Sequence, residues 1–126
     1  MLAPGDIVGI PYRGVRHEGL VTVAGDEDTA RIVHSSKRRG AVVEEDGAAF
    51  RSGRPVQVVG RAVSPSASIA YARACIGRPW TYADNCQTFT REIAGTSHPS
   101  PDAYRAGWTV AGLLVLAAVM RRTRSI

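Results

Sequence analysis

The hydrophobic period of the chain changes near its middle, and this change restricts the fold more than any other feature. Up to about residue 61, short apolar runs alternate with turn residues, a pattern that is typical of strands. From Ser64 onward, apolar residues recur at the spacing of helices. Strands grouped before helices predict an α+β fold, with an antiparallel sheet of about five strands followed by two or three helices.

The five predicted strands are runs that turn residues separate. The runs on either side of the acidic turn at 25–28 are expected to pair as an antiparallel hairpin. A polar turn with a short helix is expected around Asp46 to Phe50. The predicted strand residues are 6–10, 19–23, 31–34, 41–44 and 55–59.

Proline, serine and glycine mark the ends of the predicted helices. Ser64 is expected to be an N-cap, with Pro65 at the first helical position and Gly77 just past the end of the helix. A second helix is expected to end at Gly95. A last helix is expected to begin at Asp102, after a segment of helix breakers at 97–101.

Cys86 is predicted to lie at the start of the second helix. Asp84 is expected to cap this helix, with Gln87 three residues later completing a capping box. The unpaired N–H groups and the dipole of the first turn favour a thiolate, so Cys86 is a candidate nucleophile. The alternative is a small buried hydrophobic residue on the same helix face as Phe89 and Ile93.

Two histidines are candidates for the base that a thiol nucleophile requires. His17 precedes the second predicted strand, and His34 closes the third. If this hairpin pairs with an odd residue sum, such as 17 opposite 36, both imidazoles lie on one face as diagonal neighbours. A slip of one residue would separate them. His98 is expected to lie in a solvated loop.

The charge of the chain does not indicate a nucleic-acid partner. Lys and Arg number 16 against 11 Asp and Glu, which gives +5, and Arg121, Arg122 and Arg124 supply three of these charges. The sequence has no recognised nucleic-acid-binding motif and no basic face with interleaved aromatic residues. We interpret the basic run at 37–39 as a solvated turn, with a polyanion site as the alternative.

The two cysteines and the N-terminus favour the cytoplasm. The first residues lack the basic and apolar regions of a signal peptide, and two cysteines fit a reducing compartment. Cys75 falls in an apolar helical pattern, so we expect it to be an unreactive core residue, although a disulfide with Cys86 stays open.

Residues 106–120 carry no charged side chain. As a helix, this stretch would span about 22 Å, against roughly 30 Å of bilayer hydrocarbon. Two interpretations stay open. The helix packs on the domain or on a second copy of the chain, or it contacts a membrane while the C-terminal arginines reach lipid phosphates.

Four segments occur in an order that is similar to a known family: Pro4–Val8, His17–Val21, Ile32–His34 and Asn85–Phe89. With them the chain resembles the lecithin:retinol acyltransferase-like branch of the NlpC/P60 superfamily, over about residues 3–120. The resemblance implies a circularly permuted papain-like fold in which the histidine strands precede the cysteine helix. It also implies a catalytic domain at 1–101, followed by a hydrophobic helix with a basic tail at 102–126.

The resemblance implies a Cys-His-His site. Cys86 would be the acyl-accepting nucleophile, His17 its general base and His34 the orienting third member. The family commonly has an acidic residue and a histidine at the positions of Gln87 and Thr88. This difference lies beside the nucleophile and bears on substrate preference.

Four further residues are candidates for substrate or oxyanion contacts. Asn85 matches the family motif, and a side chain near Tyr12 would assist backbone N–H groups at the start of the Cys86 helix in holding an oxyanion. Trp80 and Tyr82 would either line a substrate groove or pack the loop that positions the helix.

The candidate nucleophile and bases predict acyl transfer or acyl hydrolysis through a Cys86 thioester, without a cofactor. The resemblance implies that the acyl donor is a phospholipid or another acyl ester. One alternative is a cysteine peptidase or amidase acting on peptide or isopeptide bonds. Another is a non-catalytic binding module that keeps the fold. A zinc site of His17, His34 and Cys86 is a further alternative, although these residues lack a recognisable ligand spacing.

Overall fold

The protein has an antiparallel five-stranded sheet and three helices in the part of the chain that the structure describes. This computed structural model describes residues 1–12 and 14–95, and for Tyr12 it describes the backbone alone. The strand order in the sheet is β4-β3-β2-β1-β5. The elements are β1 (Asp6–Tyr12), β2 (Val15–Val23), β3 (Arg31–Ser36), β4 (Ala41–Asp46), α1 (Gly47–Arg51), β5 (Gln57–Arg61), α2 (Pro65–Ala74) and α3 (Cys86–Ala94).

The α+β prediction is confirmed, as are the five strands and the antiparallel hairpin. The fifth strand begins at Gln57 and not at Pro55. The predicted start two residues earlier was wrong, because the pairing with β1 begins only at Gln57, opposite Gly9. The short helix is confirmed as α1, and the Asp46 carboxylate accepts a hydrogen bond of 2.8 Å from the Ala49 N–H.

The helix signals around α2 are partly confirmed. Ser64 is the N-cap residue and Pro65 occupies the first turn, but the Ser64 side chain makes no capping hydrogen bond. The helix ends at Ala74 with Cys75 as its C-cap, so Gly77 does not directly follow it. Gly77 has φ +96°, a conformation that glycine adopts without strain, and it turns the chain after the helix.

The two faces of the sheet bury separate apolar clusters. Leu20 and Val21 are adjacent in β2 and point to opposite faces, because side chains alternate along a strand. Helices α2 and α3 cover the Leu20 face, whereas α1 lies against the Val21 face. The first cluster contains Leu20, Val33, Val42, Ala62, Ala72, Phe89, Ile93 and Ala94. The second contains Leu2, Val8, Ile10, Val21, Ala30, Ile32 and Phe50.

The basic run at 37–39 forms the turn between β3 and β4 and is exposed, as predicted. His98, the predicted helix from Asp102 and the apolar stretch 106–120 lie outside the described residues. Among residues 1–12 and 14–95, no helix is long and apolar enough to cross a membrane.

Candidate active site

Cys86 occupies the first position of α3, and Asn85 caps this helix. The Asn85 Oδ1 accepts hydrogen bonds of 3.1 Å from the N–H groups of Gln87 and Thr88. The prediction that Asp84 is the N-cap was therefore wrong by one residue, and there is no capping box. The Asp84 carboxylate instead pairs with Arg78, at 2.9 Å from its Nε.

The start of α3 docks against the backbone of β2. The Gln87 side chain donates a hydrogen bond of 2.8 Å from Nε2 to the Arg16 carbonyl. The Cys86 thiol faces the backbone N–H of Glu18, which lowers the thiol pKa by direct interaction. The sulfur therefore lies against the peptide that joins His17 to Glu18.

The two strand histidines contact each other. Nε2 of His17 lies 2.9 Å from Nδ1 of His34, and the two rings are nearly perpendicular, with centroids 4.9 Å apart. In this hairpin Leu20 pairs with Val33, which is the odd-sum register. The prediction that both imidazoles lie on one face is confirmed.

Phe50 of α1 packs against both histidine rings. Its ring centroid lies 5.2 Å from that of His17 in a stacked arrangement, and 5.0 Å from that of His34. Gly19 makes room for this packing. A Cβ at Gly19 would lie 2.5 Å from Cγ2 of Ile32 and 3.1 Å from Cε2 of Phe50. The missing side chain therefore lets the rings pack directly over β2.

Glu45 extends the histidine pair into the protein interior. Its Oε2 lies 3.3 Å from Nε2 of His34, and its Oε1 lies 2.9 Å from Nε of Arg39. The side chains of His34 and Glu45 are 4% and 9% exposed, so this contact is shielded from water. Neither Glu45 nor Phe50 was a predicted site residue. The sequence analysis assigned no register to β3 and β4, and the pairing of Ile32 with Glu45 is what brings Glu45 to the face of His34.

Burial keeps the thiol and both imidazoles neutral. Burial is the main reason why the pKa of His17 falls from 6.5 to about 3 and that of His34 from 6.5 to about 4. The His34 ring further lowers the pKa of His17, and Arg38 and Arg39 further lower that of His34.

The expectation that the helix start makes Cys86 a thiolate was wrong for the resting protein. Burial raises the pKa of the Cys86 thiol to about 11, and the nearby backbone N–H groups offset this only in part. In the described part of the chain, no hydrogen bond joins this thiol to either imidazole. At neutral pH, Cys86 therefore becomes a thiolate only when a base takes up its proton.

The aromatic loop before α3 packs on the turn between β3 and β4. The backbone N–H of Trp80 donates to the Gly40 carbonyl at 2.9 Å, and the ring centroids of Trp80 and Tyr82 lie 5.1 Å apart. The Lys37 ammonium lies over both rings, at 5.2 and 5.3 Å from their centroids. Packing is thus established for Trp80, whereas Tyr82 is 69% exposed and a substrate contact there stays a prediction.

The remaining predicted residues have these placements. Asn85 is buried, and besides capping α3 it donates from Nδ2 to the Tyr82 carbonyl at 3.0 Å. Its role at an oxyanion stays a prediction, and the Tyr12 side chain lies outside the described structure. Cys75 is free and half-buried, as is Cys86. The described residues contain no group of three or more side chains placed to hold a metal ion.

No protein-family model matches this chain, and a comparison with curated proteins found no match either.

Proposed function

We propose that this protein is a thiol-dependent acyltransferase or acyl hydrolase that works through a thioester on Cys86. Two observations carry the proposal: the Cys86 thiol lies against the peptide that joins His17 to Glu18, and the His17 imidazole is within hydrogen-bond distance of the His34 imidazole. A nucleophile, a base and a group that orients the base are the three parts that acyl transfer requires.

In the proposed first step, the Cys86 sulfur attacks the acyl carbonyl and its proton passes to Nδ1 of His17, the nitrogen that does not bond to His34. Collapse of the tetrahedral intermediate forms the thioester. The leaving alcohol or amine takes the proton back from His17. An alcohol, an amine or water then gives a proton to His17, attacks the thioester and regenerates the thiol.

The proposed general-base route starts from a neutral site. With a thiol pKa of about 11 and a His17 pKa of about 3, both groups are neutral at pH 7. The proton therefore has to move as the carbonyl is attacked. Backbone N–H groups at the start of α3 are the proposed oxyanion donors, since the helix dipole points its positive end there.

The proposed donor is a phospholipid or another acyl ester. Support comes from the resemblance to the lecithin:retinol acyltransferase-like branch, whose permuted papain-like fold we propose for this chain. The order of elements is compatible with it, since the strands that carry His17 and His34 precede the helix of Cys86. Contact with a membrane through residues 106–120, or self-association there, is part of this proposal.

The test is incubation with phosphatidylcholine vesicles and, separately, with cell-wall peptides, followed by intact-protein mass spectrometry. We expect release of fatty acid and an acyl adduct on wild type and on the matched control Cys75→Ala, and neither on Cys86→Ala. Cleavage of the peptide alone would replace the proposal with a cysteine peptidase or amidase.

A non-catalytic binding module is the second candidate, because one observation favours it. A half-buried thiol with a raised pKa is not reactive by itself. Acyl adducts that form on Cys86 and disappear when an amine acceptor is added would exclude this candidate. A protein that binds the vesicles or peptides without any adduct or turnover would support it.

A further inference from the structure

We propose that Glu45 is a positioning residue that fixes the tautomers of His34 and His17 and thereby leaves Nδ1 of His17 free to act as the base. The inference deepens the proposed function and rests on it for its catalytic consequence. Its structural part concerns only which ring nitrogens carry protons.

The contacts of Glu45 restrict which way its hydrogen bonds run. One carboxylate oxygen lies 3.3 Å from Nε2 of His34, and the other lies 2.9 Å from Nε of Arg39. The Arg39 guanidinium can only donate to this side chain, and an ionised carboxylate can only accept hydrogen bonds. Nε2 of His34 must therefore carry a proton and donate it toward Glu45.

The proton positions on both rings follow from this first one. A neutral imidazole carries a single N–H, so Nδ1 of His34 has a lone pair and accepts. Its partner at 2.9 Å is Nε2 of His17, which must be the donor. The single proton of His17 is then on Nε2. Nδ1 of His17 therefore has a lone pair, as a base that accepts a thiol proton requires.

The opposite arrangement would disable the base. If Nε2 of His34 were an acceptor, Nδ1 would carry the proton and donate it to Nε2 of His17. The His17 proton would then lie on Nδ1, which could not accept another proton from Cys86. The Glu45 carboxylate thus selects one of two proton arrangements of the same histidine pair.

Glu45→Gln is the sharpest test, because it keeps the shape of the side chain. Arg39 Nε is a donor, so the new amide oxygen should face Arg39 and the new NH₂ group should face Nε2 of His34. Nε2 of His34 then has to accept, and both tautomers reverse. The matched control is Glu44→Gln, the adjacent carboxylate, which points to the other face of β4 and contacts Thr22 and Arg73.

The primary measurement is the nitrogen NMR spectrum of histidine-labelled protein, which separates protonated from unprotonated ring nitrogens. In wild type and Glu44→Gln we expect both His17 and His34 to carry the proton on Nε2. In Glu45→Gln we expect the proton of each ring on Nδ1. Unchanged tautomers in a folded Glu45→Gln protein, verified by circular dichroism, would overturn the proposal.

The second measurement is acyl transfer to Cys86. We expect Glu45→Gln to lower kcat by about 100-fold or more with little change in KM, since an imidazole in the wrong tautomer cannot act as base. Activity equal to wild type would overturn the catalytic part. If wild type itself transfers no acyl group, the proposed function fails, while the NMR spectrum still decides whether Glu45 sets the tautomers.

Discussion

His17 and His34, on adjacent strands, share one hydrogen bond of 2.9 Å between Nε2 of the first ring and Nδ1 of the second. Only one of these nitrogens can carry the proton of the bond. Protonating both rings would also bring two positive charges into contact inside the protein, which adds to burial in lowering the pKa of His17. The pair therefore stays neutral at physiological pH, with one ring orienting the other.

Replacing His17 should remove the base, and replacing His34 should loosen it. We expect His17→Gln to slow thioester formation by about 100- to 10,000-fold, the range that general acid–base catalysis contributes. His34→Gln should have a smaller effect, because the base remains but loses its orientation. Rapid-quench mass spectrometry of the acyl adduct measures both rates. Equal rates for wild type and His17→Gln would contradict the assigned role.

The pH dependence of alkylation should reveal a neutral resting thiol. In a Cys75→Ser background, the rate of Cys86 alkylation by iodoacetamide should rise by about tenfold per pH unit between pH 7 and 9 without levelling, because the thiol pKa is about 11. A thiol with the ordinary pKa of 9 starts to level in this range. A plateau below pH 8 would show a preformed thiolate and contradict the structure.

Acid should destabilise the fold through His17 and His34. Between pH 6.5 and 4 the unfolded chain binds protons on these rings while the folded chain does not, since the folded pKa values are about 3 and 4. The free energy of unfolding should therefore decrease as the pH falls through this window, by about 1.4 kcal/mol per pH unit for each histidine at most.

Urea denaturation at several pH values checks this effect. We expect the slope of stability against pH to be smaller in the double variant His17→Gln/His34→Gln than in wild type. Carboxylates contribute to acid sensitivity in both proteins, so the difference between the slopes isolates the histidines. Parallel slopes would mean that the rings become protonated in the folded protein as readily as in the unfolded chain.

A methyl group at Gly19 should disturb the packing of Phe50 and His34 over β2. The added Cβ of Gly19→Ala would meet Ile32 at 2.5 Å and crowd Phe50 and His34 at 3.1 and 3.3 Å. We expect a loss of about 1–3 kcal/mol in the free energy of unfolding, together with lower activity. Thermal and urea unfolding measure the loss.

Gly60→Ala is the matched control for this change. Gly60 also lies within a strand, but a Cβ there would meet Ile7 at an ordinary contact distance of 3.5 Å. We expect it to change stability by less than Gly19→Ala and to leave acyl transfer intact. The interpretation fails if both alanine variants behave alike.

Local signals predicted most of the secondary structure. The carboxylate of Asp46 caps α1, Pro65 lies in the first turn of α2, and Gly95 ends α3 with φ +83°. Each of these effects depends on the chemistry of a residue and of neighbours within one turn, so it can be read from the sequence. For the histidine hairpin, the sequence left two possible registers, and the odd-sum register was one of them.

The N-cap of α3 depends on a contact outside the local sequence. Asp84 and Asn85 are adjacent and both are good N-cap residues. The choice depends on Arg78, which lies six residues away and engages the Asp84 carboxylate at 2.9 and 3.0 Å. With that carboxylate occupied, the Asn85 amide serves as the cap.

By itself, the sequence determined the α+β order of elements, the position of Cys86 at a helix start and the pair of strand histidines as the candidate partners. The tertiary structure decided the charge state of these groups and added Glu45 and Phe50 to them. The physical reason is that the pKa of a side chain and the packing of a ring depend on burial and on contacts with residues outside the local sequence. His34 and Glu45 are an example, because they lie on neighbouring strands and their side chains meet only when those strands pair.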